Sequence, residues 1–143
     1  MLGDVPETDI KAISGLNDHN VDYCVFSSHA LPEDVKRIPQ LQPLRAYNFR
    51  GTMIATDIKT AEFASHLRLP KKKFFYIRSL EWFEATKGHP LFYKDLEKIY
   101  LSEDMDLIVS NPEDYRIISN LFKKPKYTIE DWDFTELANE YQE

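Results

Sequence analysis

Asp106-Leu107-Ile108-Val109-Ser110-Asn111-Pro112-Glu113-Asp114 changes character halfway. Its first half is a short, continuous apolar run, the pattern of a strand buried on both faces. Its second half starts a helix: Asn111 suits the N-cap, Pro112 the first helical position, and Glu113 and Asp114 the positive first turn. Strand followed at once by helix is the repeating step of a parallel α/β sheet. Lys123-Lys124-Pro125 closes that helix near Phe122, and Lys126 to Ile129 predicts a further short strand.

The same step recurs upstream. Thr52 to Thr56 predicts a strand, and Asp57 caps a helix to Leu67 with Ile58, Ala61 and Phe63/Ala64 on its apolar side. Pro70 ends it, and Lys73 to Ile77 predicts the next strand. Leu91 to Leu101 predicts a helix with Leu96, Ile99 and Tyr100 inward. Nearer the start, Ile10, Ile13 and Leu16 give a helical stripe, Val21 to Ser27 a strand, and Pro32 to Ile38 a short helix. Leu44 to Phe49 predicts an extended run, Arg78 to Pro90 an irregular stretch or a short helix, and Phe134 to Tyr141 a last helix. The expected fold is therefore α/β: one three-layer, Rossmann-like domain over residues 1–143, with a mostly parallel sheet of about five or six strands.

Composition fits one globular domain. The chain has 143 residues, 43% of them apolar and 29% charged. Eighteen Lys and Arg against 24 Asp and Glu give a net charge of −6, opposite to a general nucleic-acid coat, so any nucleic-acid contact needs a local patch. A single cysteine, Cys24, excludes an intramolecular disulfide and a thiolate metal cluster, and its place in a strand predicts an inert buried thiol. Four glycines, at 3, 15, 51 and 88, spell neither a dinucleotide fingerprint nor a P-loop, and no histidine begins H-E-x-x-H. With no apolar run near 18 residues and no signal-peptide pattern, the expectation is a cytoplasmic protein without membrane contact.

In parallel α/β sheets, ligands bind beyond the carboxyl ends of the strands. That rule picks out Ser27, Ser28 and His29; Thr56 and Asp57; Arg78, Glu81 and Trp82; and Ser110 and Asn111. His29 has the pKa range of a general base for an acceptor hydroxyl, or is a loop histidine bonded to backbone. Arg78 can fork onto a phosphate or carboxylate, Trp82 can stack on a sugar or base, and Glu81 can act as a base or accept from sugar hydroxyls. The alternative is an ion pair over a buried Trp82. Asp57, Ser110 and Asn111 read equally as helix caps. Lys71-Lys72-Lys73 beside Phe74-Phe75-Tyr76 could meet phosphates and bases, or be a solvated entry to a buried strand. Ser27, His29 and Asp57 spell a triad without the G-x-S-x-G elbow. Asp131 and Asp133 form only a weak D-x-D, so no metal is expected. The acidic C-terminus is a helix face or a docking surface for a basic partner.

Gly51 to Asp57 (G-T-M-I-A-T-D), Lys72 to Trp82 (K-K-F-F-Y-I-R-S-L-E-W) and Asp106 to Asp114 together resemble small glycosyltransferase-like proteins of tailed bacteriophages. Those are similar to the N-terminal Rossmann lobe of two-lobed (GT-B) glycosyltransferases. In that lobe a D-x-I-x-A-x-S strand opens a helix, as Asp106 to Ser110 does here, and Ile129 to Phe134 loosely echoes its closing I-x-N-x-x-D-x-x-x-F segment. The resemblance runs from about Val21 to Leu137.

The resemblance implies transfer of a sugar from a nucleotide-sugar donor to a DNA base or glycan, with nucleic acid entering only as acceptor. It implies His29 and Glu81 as catalytic groups and the other rim residues as ligand contacts. No tightly bound cofactor is implied. The donor lobe of such enzymes has no counterpart before Glu143, so the resemblance also implies a partner protein or a homo-oligomer. Two other readings stand beside it: a non-catalytic inhibitor, adaptor or anti-defence module on the same scaffold, and a small nucleotide-binding or hydrolytic enzyme using Asp57 and Ser110.

Overall fold

The computed structural model describes residues 24–26, 39–78, 80, 90–130, 134, 136, 137 and 140. The described elements are, in order, β1 (Val25–Phe26), β2 (Gln40–Leu41), a 3-10 helix (Pro43–Asn48), β3 (Thr52–Ala55) and α1 (Ile58–His66), followed by β4 (Lys72–Ile77), α2 (Pro90–Tyr100), β5 (Asp106–Val109), α3 (Pro112–Leu121) and β6 (Tyr127–Thr128). Glu136, Leu137 and Glu140 also have helical backbone. The α/β class and parallel pairing follow the sequence.

Two expectations are corrected. Among the described residues no one sheet holds five or six strands: β3-β4-β5-β6 form one four-stranded parallel sheet, and β1 and β2 pair separately, also in parallel. Leu44 to Phe49 is not extended. Pro43 fixes the first turn of the 3-10 helix, which buries Ala46 and leaves Leu44 and Tyr47 exposed, so the apolar run misread as a strand is a one-sided turn. The predicted helices at 10–16 and 32–38 lie outside the described residues.

The four strands follow chain order, with no reversal among them. Right-handed crossovers stepping in one direction place their helices on one face. The core agrees. Met53, Ala55, Phe75, Ile77, Leu107 and Val109 alternate inward from the strands. They join Ala61 and Ala64 of α1, Leu96, Ile99 and Tyr100 of α2, and Ile118 of α3 in a single cluster. Small residues on α1 let it lie close over β3 and β4. Phe75 meets Tyr100, which stacks on Phe122 at 4.7 Å. Phe26 of β1 enters the same cluster and meets Phe49 edge-on at 5.4 Å.

The opposite face carries Phe74, Tyr76, Ile108 and Tyr127. Phe134 covers Tyr76, and the Tyr76 hydroxyl donates to the Ile129 carbonyl at 3.0 Å. The Tyr127 hydroxyl bonds the Glu140 carboxylate. Phe74, Phe75 and Tyr76 are at most 1% exposed, which removes them as base-stacking residues. Cys24 is half-buried against the core.

Candidate functional site at the carboxyl rim

The carboxyl ends of β3, β4, β5 and β6 lie side by side, so Thr56 and Asp57, Arg78, Ser110 and Asn111, and Glu130 form one rim. Val109 pairs with Ile77, which sets Ser110 beside Arg78. The Ser110 hydroxyl donates to the Arg78 carbonyl at 3.2 Å and accepts from the Asn111 amide at 3.3 Å. This cross-strand bond fixes the backbone where the chain leaves β4. Arg78 itself is half-buried. It stands at the entrance to the segment that carries Glu81 and Trp82.

Two rim residues are committed to helix starts. Asp57 accepts from the Thr60 backbone N–H at 2.9 Å, and Thr60 Oγ1 accepts in return from the Asp57 N–H at 3.2 Å. This is a reciprocal capping box with threonine in the return position. The Thr60 hydroxyl lies within 3.3 Å of the Thr56 backbone N–H as well, and Thr56 is buried. At α3, Asn111 Oδ1 accepts from the Asp114 N–H at 2.8 Å, while its Nδ2 donates to the Asp114 carboxylate at 2.9 Å.

A helix N-terminus is a ready anion site when its N–H groups point outward unmet. Here Asp57 and Asn111 stand at the N-caps of α1 and α3 and each accepts one of those N–H groups, from Thr60 and Asp114. The capping reading therefore holds for both residues. The rim is polar, and Arg78 is the cation in its described part. Ser27, Ser28, His29, Glu81 and Trp82 lie outside the described residues. Among the described residues no group of three or more metal-ligating side chains converges, and no helix is long and apolar enough to cross a membrane.

The amino edge of the same sheet holds what sequence reasoning missed. Lys73 points inward, on the face of Phe75 and Ile77, and is only 9% exposed. Its ammonium donates to the carbonyls of Leu67 at 3.0 Å and Ser65 at 3.3 Å, at the C-terminal end of α1. Lys123 donates to the carbonyls of Ser102 and Met105, in the loop between α2 and β5. Burial pushes the Lys123 pKa below the ordinary 10.5; Asp106 opposes that shift and Lys72 adds to it. Between them, Lys72 stands 2.6 Å and Lys126 3.9 Å from the Asp106 carboxylate. The Lys72 contact is an ion pair without hydrogen-bond geometry. The signal was present in the period: a lysine at 73 falls on the inward side of an alternating strand.

Compared with family models, curated proteins and solved structures, the chain matches none.

Proposed function

We propose that the chain is the acceptor-side half of a glycosyltransferase, with its acceptor cleft along the carboxyl rim at Arg78. The observation that carries this reading is that Asp57 and Asn111 cap both helix N-termini at the rim, each accepting one backbone N–H. A lobe that held donor phosphates would need such termini open. A lobe that holds a neutral or lightly charged acceptor does not.

In this reading Arg78 orients the acceptor, Trp82 stacks on it, and Glu81 or His29 takes the proton from the attacking hydroxyl. The nucleotide-sugar is held by a second lobe or chain. The acceptor is a sugar or a modified base.

The direct test is saturation-transfer NMR with a panel of monosaccharides and nucleosides. The expected result is contact with at least one of them, lost in Arg78→Ala while the circular dichroism spectrum is unchanged. Contact that survives Arg78→Ala overturns the assignment of the cleft.

The committed caps also favour a second reading. A rim whose described Asp, Ser and Asn side chains are all bonded internally suits a non-catalytic module that binds a protein. Under that reading His29→Ala and Glu81→Gln leave binding of the partner intact, and charge reversal on the surface abolishes it.

A further inference from the structure

Pairing between β4 and β5 ends at Ile77 and Val109, so Arg78 and Ser110 are the first residues past the ladder. Side chains take over there. The Ser110 hydroxyl donates to the Arg78 carbonyl at 3.2 Å, and Asn111 Nδ2 donates to the Ser110 oxygen at 3.3 Å. Asn111 is itself held at both ends of its amide. Its Oδ1 accepts from the Asp114 N–H at 2.8 Å, and Nδ2 donates to the Asp114 carboxylate at 2.9 Å. Asp114, Asn111, Ser110 and Arg78 thus form one chain of hydrogen bonds, from the first turn of α3 to the exit of β4. Two residues beyond that exit, Leu80 packs against the core. The Arg78 main chain is held before, at and after its own position.

The donors give this chain its direction. A primary amide carries two N–H bonds, and Asn111 uses both. A serine hydroxyl carries one proton. Because Asn111 donates to Ser110, that proton is turned away from Asn111 and onto the Arg78 carbonyl. Donors in series also polarise one another. Serine, aspartate and asparagine cap a helix about equally well. Asparagine alone among them accepts for the helix and offers two donors at the same time. Capping therefore accounts for Oδ1 of Asn111, and not for its bond to Ser110.

We infer that Ser110 and Asn111 are positioning residues for Arg78: Asn111 turns the Ser110 hydroxyl onto the Arg78 carbonyl, and that bond sets the main chain from which the Arg78 side chain meets the acceptor. The final link, from main chain to acceptor, rests on the role proposed above for Arg78. Ser110 and Asn111 need not touch the ligand, since the donors of both side chains are committed within the protein.

The test has two readouts: the Arg78 Nε–Hε cross-peak in ligand-free protein, and the affinity for whichever panel compound contacts the wild type. The cross-peak is assigned by its loss in Arg78→Lys. Ser110→Ala should shift it by more than a line width and weaken the compound about fivefold, the worth of one hydrogen bond. Ser110→Thr keeps the hydroxyl and should restore both readouts. Asn111→Ser keeps a capping oxygen and lacks the amide. It should leave the urea midpoint nearly unchanged, shift the peak, and weaken the compound less than Ser110→Ala does. Thr60→Val breaks the capping box of α1 on the same rim. It should lower the urea midpoint and leave peak and affinity as they are. An unmoved peak in Ser110→Ala overturns the inference, as does a moved peak with unchanged affinity. So does an equal shift in Thr60→Val, which would make the peak a reporter of stability alone. A peak unmoved by Asn111→Ser overturns the part given to Asn111. If no compound contacts the wild type, the acceptor reading falls, and the cross-peak by itself decides whether Ser110 positions Arg78.

Discussion

The two ends of the four-stranded sheet solve the same problem with opposite chemistry. At the carboxyl rim, helix starts leave N–H groups unmet, and Asp57 and Asn111 accept from them. At the amino edge, the end of α1 leaves carbonyls unmet and Lys73 donates to them, while Lys123 donates to two carbonyls of the loop that follows α2. The caps at the rim are short side chains next to the groups they serve. The amino-edge lysines are long side chains that reach back along the chain, Lys73 by six residues to Leu67 and Lys123 by 21 and 18 to Ser102 and Met105. Local caps stabilise one helix each. Lys73 ties the end of α1 to β4, and Lys123 ties the loop before β5 to the segment after α3, so they also fix how these elements lie together. The amino edge is thus the tertiary joint.

The largest expected effect tests that joint. Lys73→Met keeps the length of the side chain and its apolar stem but removes the donor. Two partly buried carbonyls, of Ser65 and Leu67, then lose their partner. A buried group left unmet costs about 1–3 kcal/mol, so a loss of about 3 kcal/mol is expected in urea unfolding. Lys72→Met, one residue away, breaks a half-exposed ion pair and should cost less than about 1 kcal/mol. Equal losses for the two neighbours would break the contrast between a structural lysine and a surface one.

Cap removal at the rim comes next. Asp57→Ala and Asn111→Ala should each cost about 1 kcal/mol. Asp57→Asn should recover most of that loss, because the amide oxygen still accepts from Thr60. If Asp57→Ala left stability unchanged but removed acceptor contact in the NMR experiment, Asp57 would be a ligand residue and the rim would not be closed.

These assignments also show where the sequence was readable. Asn111-Pro112-Glu113-Asp114 and Asp57 announce their helices because capping is decided within four residues. Strands β4 and β5 were readable because full burial demands an unbroken apolar run. The 3-10 helix at Pro43–Asn48 was not: its composition suits a strand, and only packing on Ala46 decides. Strand order was not readable either, since nothing local distinguishes a sheet that steps one way from one that reverses. For the rim, residue type gave the caps but not the Ser110–Arg78 bond, which depends on the register of two strands far apart in sequence. For the amino edge, Lys71-Lys72-Lys73 looked like one charged run, but alternation sends Lys73 inward and leaves Lys71 exposed.

The smallest effect is a matter of pH and sharpens the comparison most. Burial lowers the Lys123 pKa in the folded chain below the 10.5 it has when unfolded. Below the folded value both states carry the proton, and the folded state bears the cost of a partly desolvated charge. Between the folded value and 10.5 the unfolded chain holds a proton that the folded chain has released. Stability therefore rises with pH across that window. Other groups also titrate there, so the comparison is with Lys123→Met, which lacks the step. The stability of the wild type relative to Lys123→Met, from urea midpoints, should increase between pH 7.5 and pH 10. A gap that stays constant or narrows would mean that the two carbonyls of Ser102 and Met105 fully repay the burial. Asp106 works against the shift, so Asp106→Asn should lower the Lys123 pKa further and start the rise at lower pH.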